Sequence, residues 1–120
     1  MNRLIIGSLL LVFAVGMSSQ VGAAGHIADG TYQMSNGSLT ISAMVQGMPD
    51  GKYFINAEGK TAEGKFCRVG DLAEVRGNQL IVSGCSAGIT VENNAFVLND
   101  SNNCFHCDAG LSASGTYQRK

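Results

Sequence analysis

The residues of this chain best suited to chemistry lie near its C-terminus, in Cys104-Phe105-His106-Cys107-Asp108. Two cysteines separated by two residues have the spacing of a thiol–disulfide exchange site, which needs a stabilised thiolate, usually at a helix N-terminus. Here the pair follows an Asn-rich loop, no βαβ pattern surrounds it, and the negative charge of Asp108 disfavours a thiolate. The sequence therefore predicts that these two cysteines have a structural role rather than a redox one.

Zinc is the alternative use for these thiols, and the spacing fits it less well. Structural zinc sites commonly have two close cysteine pairs, whereas Cys67 and Cys85 stand apart from the one close pair. We therefore predict no metal and no cofactor. We assign all four cysteines to disulfides: Cys67, Cys85, Cys104 and Cys107.

Catalytic motifs are missing from the rest of the sequence. The chain has no Gly-x-Ser-x-Gly nucleophile elbow and no Gly-rich phosphate loop. Its nine carboxylates occur singly in turns and at positions expected to be exposed, which predicts a role in solubility. These observations indicate a protein that is not an enzyme.

The first 24 residues have the pattern of a cleaved export signal. Met1-Asn2-Arg3 is a short positive segment, residues 4–17 are apolar apart from small residues, and Val21-Gly22-Ala23-Ala24 supplies a cleavage site after Ala24. The apolar run is short for a membrane span. We therefore predict a signal peptide over residues 1–24, one domain over residues 25–120, and a periplasmic or secreted protein without membrane insertion after cleavage.

The predicted domain is small and carries few charges. Its length of about 96 residues gives a limited core, so two disulfides would each add roughly 2–4 kcal/mol of needed stability. Beyond Arg3, seven basic residues stand against nine acidic ones, and no basic run is present. We therefore expect neither nucleic acids nor anionic membrane surfaces as partners, because both require clustered positive charge.

Short alternating runs separated by turn residues dominate residues 25–120. In one of them Leu39, Ile41, Ala43 and Val45 share a face, with polar residues between them. Sixteen glycines and a single proline indicate frequent tight turns. The pattern predicts an all-β fold, a small antiparallel meander of about eight strands that closes into a disulfide-stapled barrel or sandwich.

More specific expectations follow from the same pattern. We expect Gly70-Asp71 to be a turn between two strands, and residues 25–29 to be a mobile lead-in. We expect Met44, Met48 and Phe54 to lie in the core or the barrel wall rather than in a ligand site.

The end of the chain copies an earlier tetrapeptide. Gly115-Thr116-Tyr117-Gln118 repeats Gly30-Thr31-Tyr32-Gln33, which favours neighbouring first and last strands, although chance is an alternative explanation. Because successive strands of a meander run in opposite directions, we also expect the four cysteines to lie at the same end of the β-structure. Two pairings stay open: bridges from Cys67 and Cys85 to the C-terminal pair, or a Cys67–Cys85 bridge with the C-terminal pair closed locally.

The segment Leu111-Ser112-Ala113-Ser114-Gly115-Thr116-Tyr117 resembles the Ser-Gly-x-x-Tyr segment of the bacterial periplasmic inhibitors of c-type lysozyme. The resemblance implies a small exported β-barrel with a disulfide and a loop that enters the lysozyme cleft. In that family a serine of this segment enters the active site. The matching residue here is Ser112 or Ser114.

Together these features predict a periplasmic interaction protein, an inhibitor or immunity protein against a cell-wall hydrolase of the lysozyme, muramidase or amidase type. A rigid, cross-linked scaffold loses little entropy on docking. The predicted contact residues are Phe105 as the apolar anchor, His106 and Asp108, with Ser112 and Ser114 from the resemblance. Two alternatives stay open: a barrel with a small ligand inside, which a filled interior would reject, and a structural or assembly component of the bacterial envelope.

Overall fold

The computed structural model describes residues 26–120, and within this range eight antiparallel strands form a closed barrel. The strands are β1 Gly30–Asn36, β2 Leu39–Gly47, β3 Tyr53–Lys60, β4 Phe66–Arg76, β5 Gln79–Val82, β6 Cys85–Glu92, β7 Ala95–Asn99 and β8 Gly115–Arg119. Each strand pairs with its neighbours in sequence, and β8 pairs back with β1. The predicted all-β meander is confirmed, and it closes as a barrel. The predicted signal peptide lies outside the described residues.

Alternation places the apolar side chains inside the barrel. In β2 every second residue from Leu39 to Val45 is buried, and the residues between them are exposed, as the sequence predicts. The buried side chains form one continuous cluster inside the barrel. The largest fully buried ones are Tyr32, Tyr117, Phe96, Phe105, Ile27, Met34, Ile41, Ile55, Leu80 and Leu98.

The expected turn at Gly70-Asp71 is wrong, because β4 runs unbroken through both residues. Gly70 pairs with Asn56 of β3, and Asp71 pairs with Ile55 of the same strand. Turn-forming residues remain extended here because eight consecutive pairs with β3 determine the path of the chain. One eleven-residue strand therefore replaces the two short predicted ones.

The repeated tetrapeptide is a structural repeat as well as a sequence repeat. The hydroxyl of Tyr32 donates to the carbonyl oxygen of Ala28 at 2.6 Å, and that of Tyr117 donates to the carbonyl oxygen of Ala113 at the same distance. Each tyrosine thus fastens the chain four residues upstream, as in the tyrosine corner of β-sandwiches. Both rings pack on Phe96, with ring centroids 5.0 and 4.8 Å away. The first and last strands are neighbours, as predicted.

The glycine of each repeat marks the point where the chain enters the barrel wall. Gly30 has a φ of 149° and Gly115 a φ of 153°, a region that favours glycine. Because β1 and β8 are antiparallel, these glycines lie at opposite ends of the barrel. The expectation of a mobile lead-in is corrected at Ile27, which is buried and donates its N–H to the hydroxyl of Tyr53 at 3.0 Å. The lead-in thus covers one end of the barrel.

Candidate functional site

The opposite end of the barrel is covered by residues 100–114, which we call the closing segment. β5 pairs with β4 only from Ala73 onward, so the first part of β4 has no strand partner on that side. The closing segment occupies this place. Arg68 donates its N–H to the carbonyl oxygen of Phe105 at 2.9 Å, and Asp108 donates its N–H to that of Phe66 at 2.8 Å. The closing segment is therefore part of the barrel wall.

Two disulfides fasten the closing segment to the strands. Cys107 is bonded to Cys67 of β4, and Cys104 is bonded to Cys85 at the start of β6. The expectation that the four cysteines cluster at one end is confirmed, and the long-range pairing is the correct one; the local Cys104–Cys107 pairing is wrong. The bonds are compatible with an oxidising location outside the cytoplasm. Within residues 26–120 no group of three His, Cys, Asp or Glu side chains is placed to hold a metal ion.

The central polar residue of the closing segment is Asp100, which the sequence analysis missed. Its side chain is only 5% exposed. One carboxylate oxygen accepts the N–H of Cys104 at 2.7 Å and the other accepts that of Phe105 at 3.0 Å. Its own N–H donates to Oγ of Ser114 at 2.7 Å. Asp100 therefore joins both ends of the segment. The signal was its position before Ser-Asn-Asn, because Asp favours side-chain bonds to nearby backbone N–H groups.

The charge of Asp100 also acts on the interior. Burial raises the pKa of the Tyr117 hydroxyl, and the negative charge of Asp100 raises it further. Tyr117 therefore stays neutral and donates its hydrogen bond to Ala113 throughout the ordinary pH range.

Residues 103–107 form a tight turn that hydrogen bonds and both disulfides hold in place. The side chain of Asn103 accepts the N–H of Cys107 at 2.8 Å and donates to the carbonyl oxygen of Cys107 at 3.0 Å. Asn103 and His106 both have left-handed backbones, with φ of 56° and 50°. Such conformations are uncommon for residues other than glycine and persist where the surroundings enforce them. His106 lies exposed in this turn.

The predicted contact residues take different places in this segment. Phe105 is only 1% exposed, with its ring centroid 6.4 Å from that of Tyr117; its predicted role as a surface anchor is therefore wrong, because its side chain belongs to the core. Asp108 is exposed, but its carboxylate accepts the N–H of Phe66 at 2.8 Å. Ser112 is exposed, whereas Ser114 is half-buried and bonded to Asp100.

Large apolar side chains are exposed on the outer face of the sheet instead. Met44 of β2 and Phe54 of β3 lie in the barrel wall, as expected, with their side chains exposed, as are those of Phe66 and Leu72 of β4. Met48 lies just after β2, outside the wall, and is also exposed. The signal for Met44 and Phe54 was present in the sequence, because each alternates with inward-facing neighbours.

Comparison with protein-family models, with curated proteins and with solved structures finds no match to this chain. Within residues 26–120 there is no helix long and apolar enough to cross a membrane.

Proposed function

We propose that the protein is an exported inhibitor or immunity protein that binds a cell-wall hydrolase through the closing segment, and that it is not itself an enzyme. The observation that carries this proposal is the fixed conformation of residues 103–107, which two disulfides and the Asn103–Cys107 hydrogen bonds hold. A segment that is ordered before binding loses little conformational entropy on docking. Export through the predicted signal peptide, and the disulfides, suit a periplasmic or secreted site of action.

The residues most suited to contact are His106 and Ser112, since both are exposed on the closing segment. The resemblance to lysozyme inhibitors implies that a serine enters the enzyme cleft. Of its two candidates, Ser112 suits this role better, because Oγ of Ser114 already accepts the N–H of Asp100 inside the segment. Among residues 26–120, Oγ of Ser112 accepts just the N–H of Ser114, at 3.1 Å, and keeps its own proton to donate.

The test is inhibition of purified hydrolases by the exported protein with its disulfides intact. We expect it to inhibit a c-type lysozyme, a muramidase or an amidase in a cell-wall turbidity assay. Ser112→Ala and His106→Ala should weaken that inhibition. Thr90→Ala is the matched control, because it removes an exposed hydroxyl from β6, outside the closing segment. If the unaltered protein binds none of the three enzymes, the proposal is refuted.

A further inference from the structure

The outer face of β1–β4 carries a groove of about 510 Å³, which lies outside the closing segment. The strand register arranges its outward side chains in rows. Met44, Asn56 and Gly70 stand side by side in one row, and Thr40, Lys60 and Phe66 in another. Ser42, Glu58 and Arg68 form the row between them. The volume lies within the range of small-molecule sites.

Two large apolar side chains flank the groove. Phe66 is 46% exposed and Met44 is 55% exposed, and they belong to rows that are four residues apart along the strands. At the rise of a β-strand this separation is roughly 13 Å. The groove therefore has room for more than one ring-sized unit, with an apolar contact near each end.

The floor between these ends is polar and largely free to bind. Within the described residues, the side chains of Ser42, Asn56 and Lys60 make no hydrogen bond or ion pair with the protein. Glu58 accepts one hydrogen bond from Arg68 at 3.2 Å, so its charge is balanced while further acceptor sites remain. The floor can thus both donate and accept hydrogen bonds at several neighbouring points.

These features distinguish among ligand classes. A lipid chain does not suit a polar floor, and a nucleic acid requires more positive charge than Lys60 and the paired Arg68 supply. An extended peptide gains most from pairing with a free strand edge. The strands under this groove belong to a closed barrel and offer no such edge. A saccharide chain has hydroxyl groups along its ring edges for the floor and apolar C–H faces for Phe66 and Met44.

We propose that this groove binds a short, uncharged oligosaccharide, with Phe66 against a sugar face and Asn56 and Glu58 bonded to sugar hydroxyls. This site is independent of the proposed inhibition through the closing segment. The protein would then hold a glycan on one face and present the closing segment at one end of the barrel.

The test uses cellohexaose, maltohexaose and N-acetylchitohexaose as probes, followed by amide chemical shifts and calorimetry. We expect at least one of them to shift the signals of β2–β4 around Ser42 and Glu58. Phe66→Ala should weaken its binding by about tenfold. Phe54→Ala is the matched control, since Phe54 is 38% exposed on the same face but does not line the groove, and it should bind as the unaltered protein does.

The contrary outcomes are equally definite. No binding of any of the three hexasaccharides would overturn the proposal, as would equal losses in the Phe66→Ala and Phe54→Ala variants. Groove signals that shift with an extended hexapeptide but with no saccharide would also overturn it and reassign the groove to peptides. Circular dichroism of each variant checks that the barrel is intact.

Discussion

Removing each disulfide by a paired Cys→Ala change tests how the closing segment is held. Cys85 and Cys104 are 19 residues apart, and they lie inside the loop between Cys67 and Cys107, which are 40 apart. If each bond acted alone, loop entropy would give about 3.2 kcal/mol for the inner bond and about 3.9 kcal/mol for the outer one.

The nesting of the two loops lowers both values. With the inner bond intact, the path from Cys67 to Cys107 runs through 18 residues to Cys85 and three residues beyond Cys104, about 21 in all. The outer bond then contributes about 3.3 kcal/mol. Both bonds together contribute about 6.5 kcal/mol, so the inner bond contributes about 2.6 kcal/mol when the outer one is present.

We therefore expect the outer-bond variant to lose about 0.7 kcal/mol more free energy of unfolding than the inner-bond variant. Burial adds little to this difference, because alanine leaves unfilled space in both variants: Cys67, Cys107 and Cys104 are all buried, and only Cys85 is half-buried. Equilibrium unfolding in urea measures both losses, and the slope with urea should rise as the unfolded chain becomes less constrained. Ser101→Ala, an exposed change in the same segment, is the control.

A loss below about 1 kcal/mol for either variant would refute the entropic reasoning. A greater loss for the inner bond than for the outer one would refute the nesting argument. In either case the stability would reside in native contacts of the segment rather than in restriction of the unfolded chain.

Three further predictions concern single residues. Asp100→Ala should destabilise the protein by about 3 kcal/mol, because two backbone N–H groups lose a charged acceptor, and Asp100→Asn by about half of that in thermal unfolding. Gly115→Ala should cost more than Gly37→Ala, because its Cβ would lie 2.8 Å from Cγ of Met34, whereas Gly37 faces open space; urea unfolding compares them. The pKa of Tyr117 is higher in the folded protein than in the unfolded chain, where it is about 10. The free energy of unfolding should therefore fall as the pH rises above about 10, by up to about 1.4 kcal/mol per pH unit. Tyr117→Phe should reduce this slope in pH-dependent denaturation.

Each of these has a contrary result. Equal stabilities of the Asp100→Ala and Asp100→Asn variants would contradict the role of the two N–H bonds. A Gly37→Ala variant less stable than Gly115→Ala would contradict the close approach of Met34. An unchanged alkaline slope in Tyr117→Phe would assign the loss of stability at high pH to other groups.

The barrel itself was largely predictable because its signals are local. Alternation in β2 decides which side chains face inward, and it does so within a few residues of sequence. The Gly-Thr-Tyr-Gln repeat marked the two strands that close the barrel, Gly30–Asn36 and Gly115–Arg119. The opposite directions of successive strands brought Cys85, Cys104 and Cys107 to one end. Cys67 joins them although the turn expected at Gly70-Asp71 is absent, because it lies at the start of the long strand β4.

The candidate site was less predictable because its residues act through distant partners. Phe105 is a large apolar residue in a polar loop, and only the missing strand partner of β4 explains why it enters the core. Asp100 resembles any other turn carboxylate until the N–H groups of Cys104 and Phe105 surround it. The groove beside Phe66 depends on four strands, β1 to β4, lying in register, which no single strand encodes.

The sequence by itself therefore determined the class of fold, the inward and outward faces of β2, and the clustering of the cysteines at one end of the barrel. Only the tertiary structure decided that the closing segment replaces part of the wall and which cysteine bonds to which. The physical reason is separation along the sequence. Strand periodicity relates residues two apart, whereas the hydrogen bond between Phe66 and Asp108 joins residues 42 apart. Such a contact forms only when the whole barrel brings both residues to the same place.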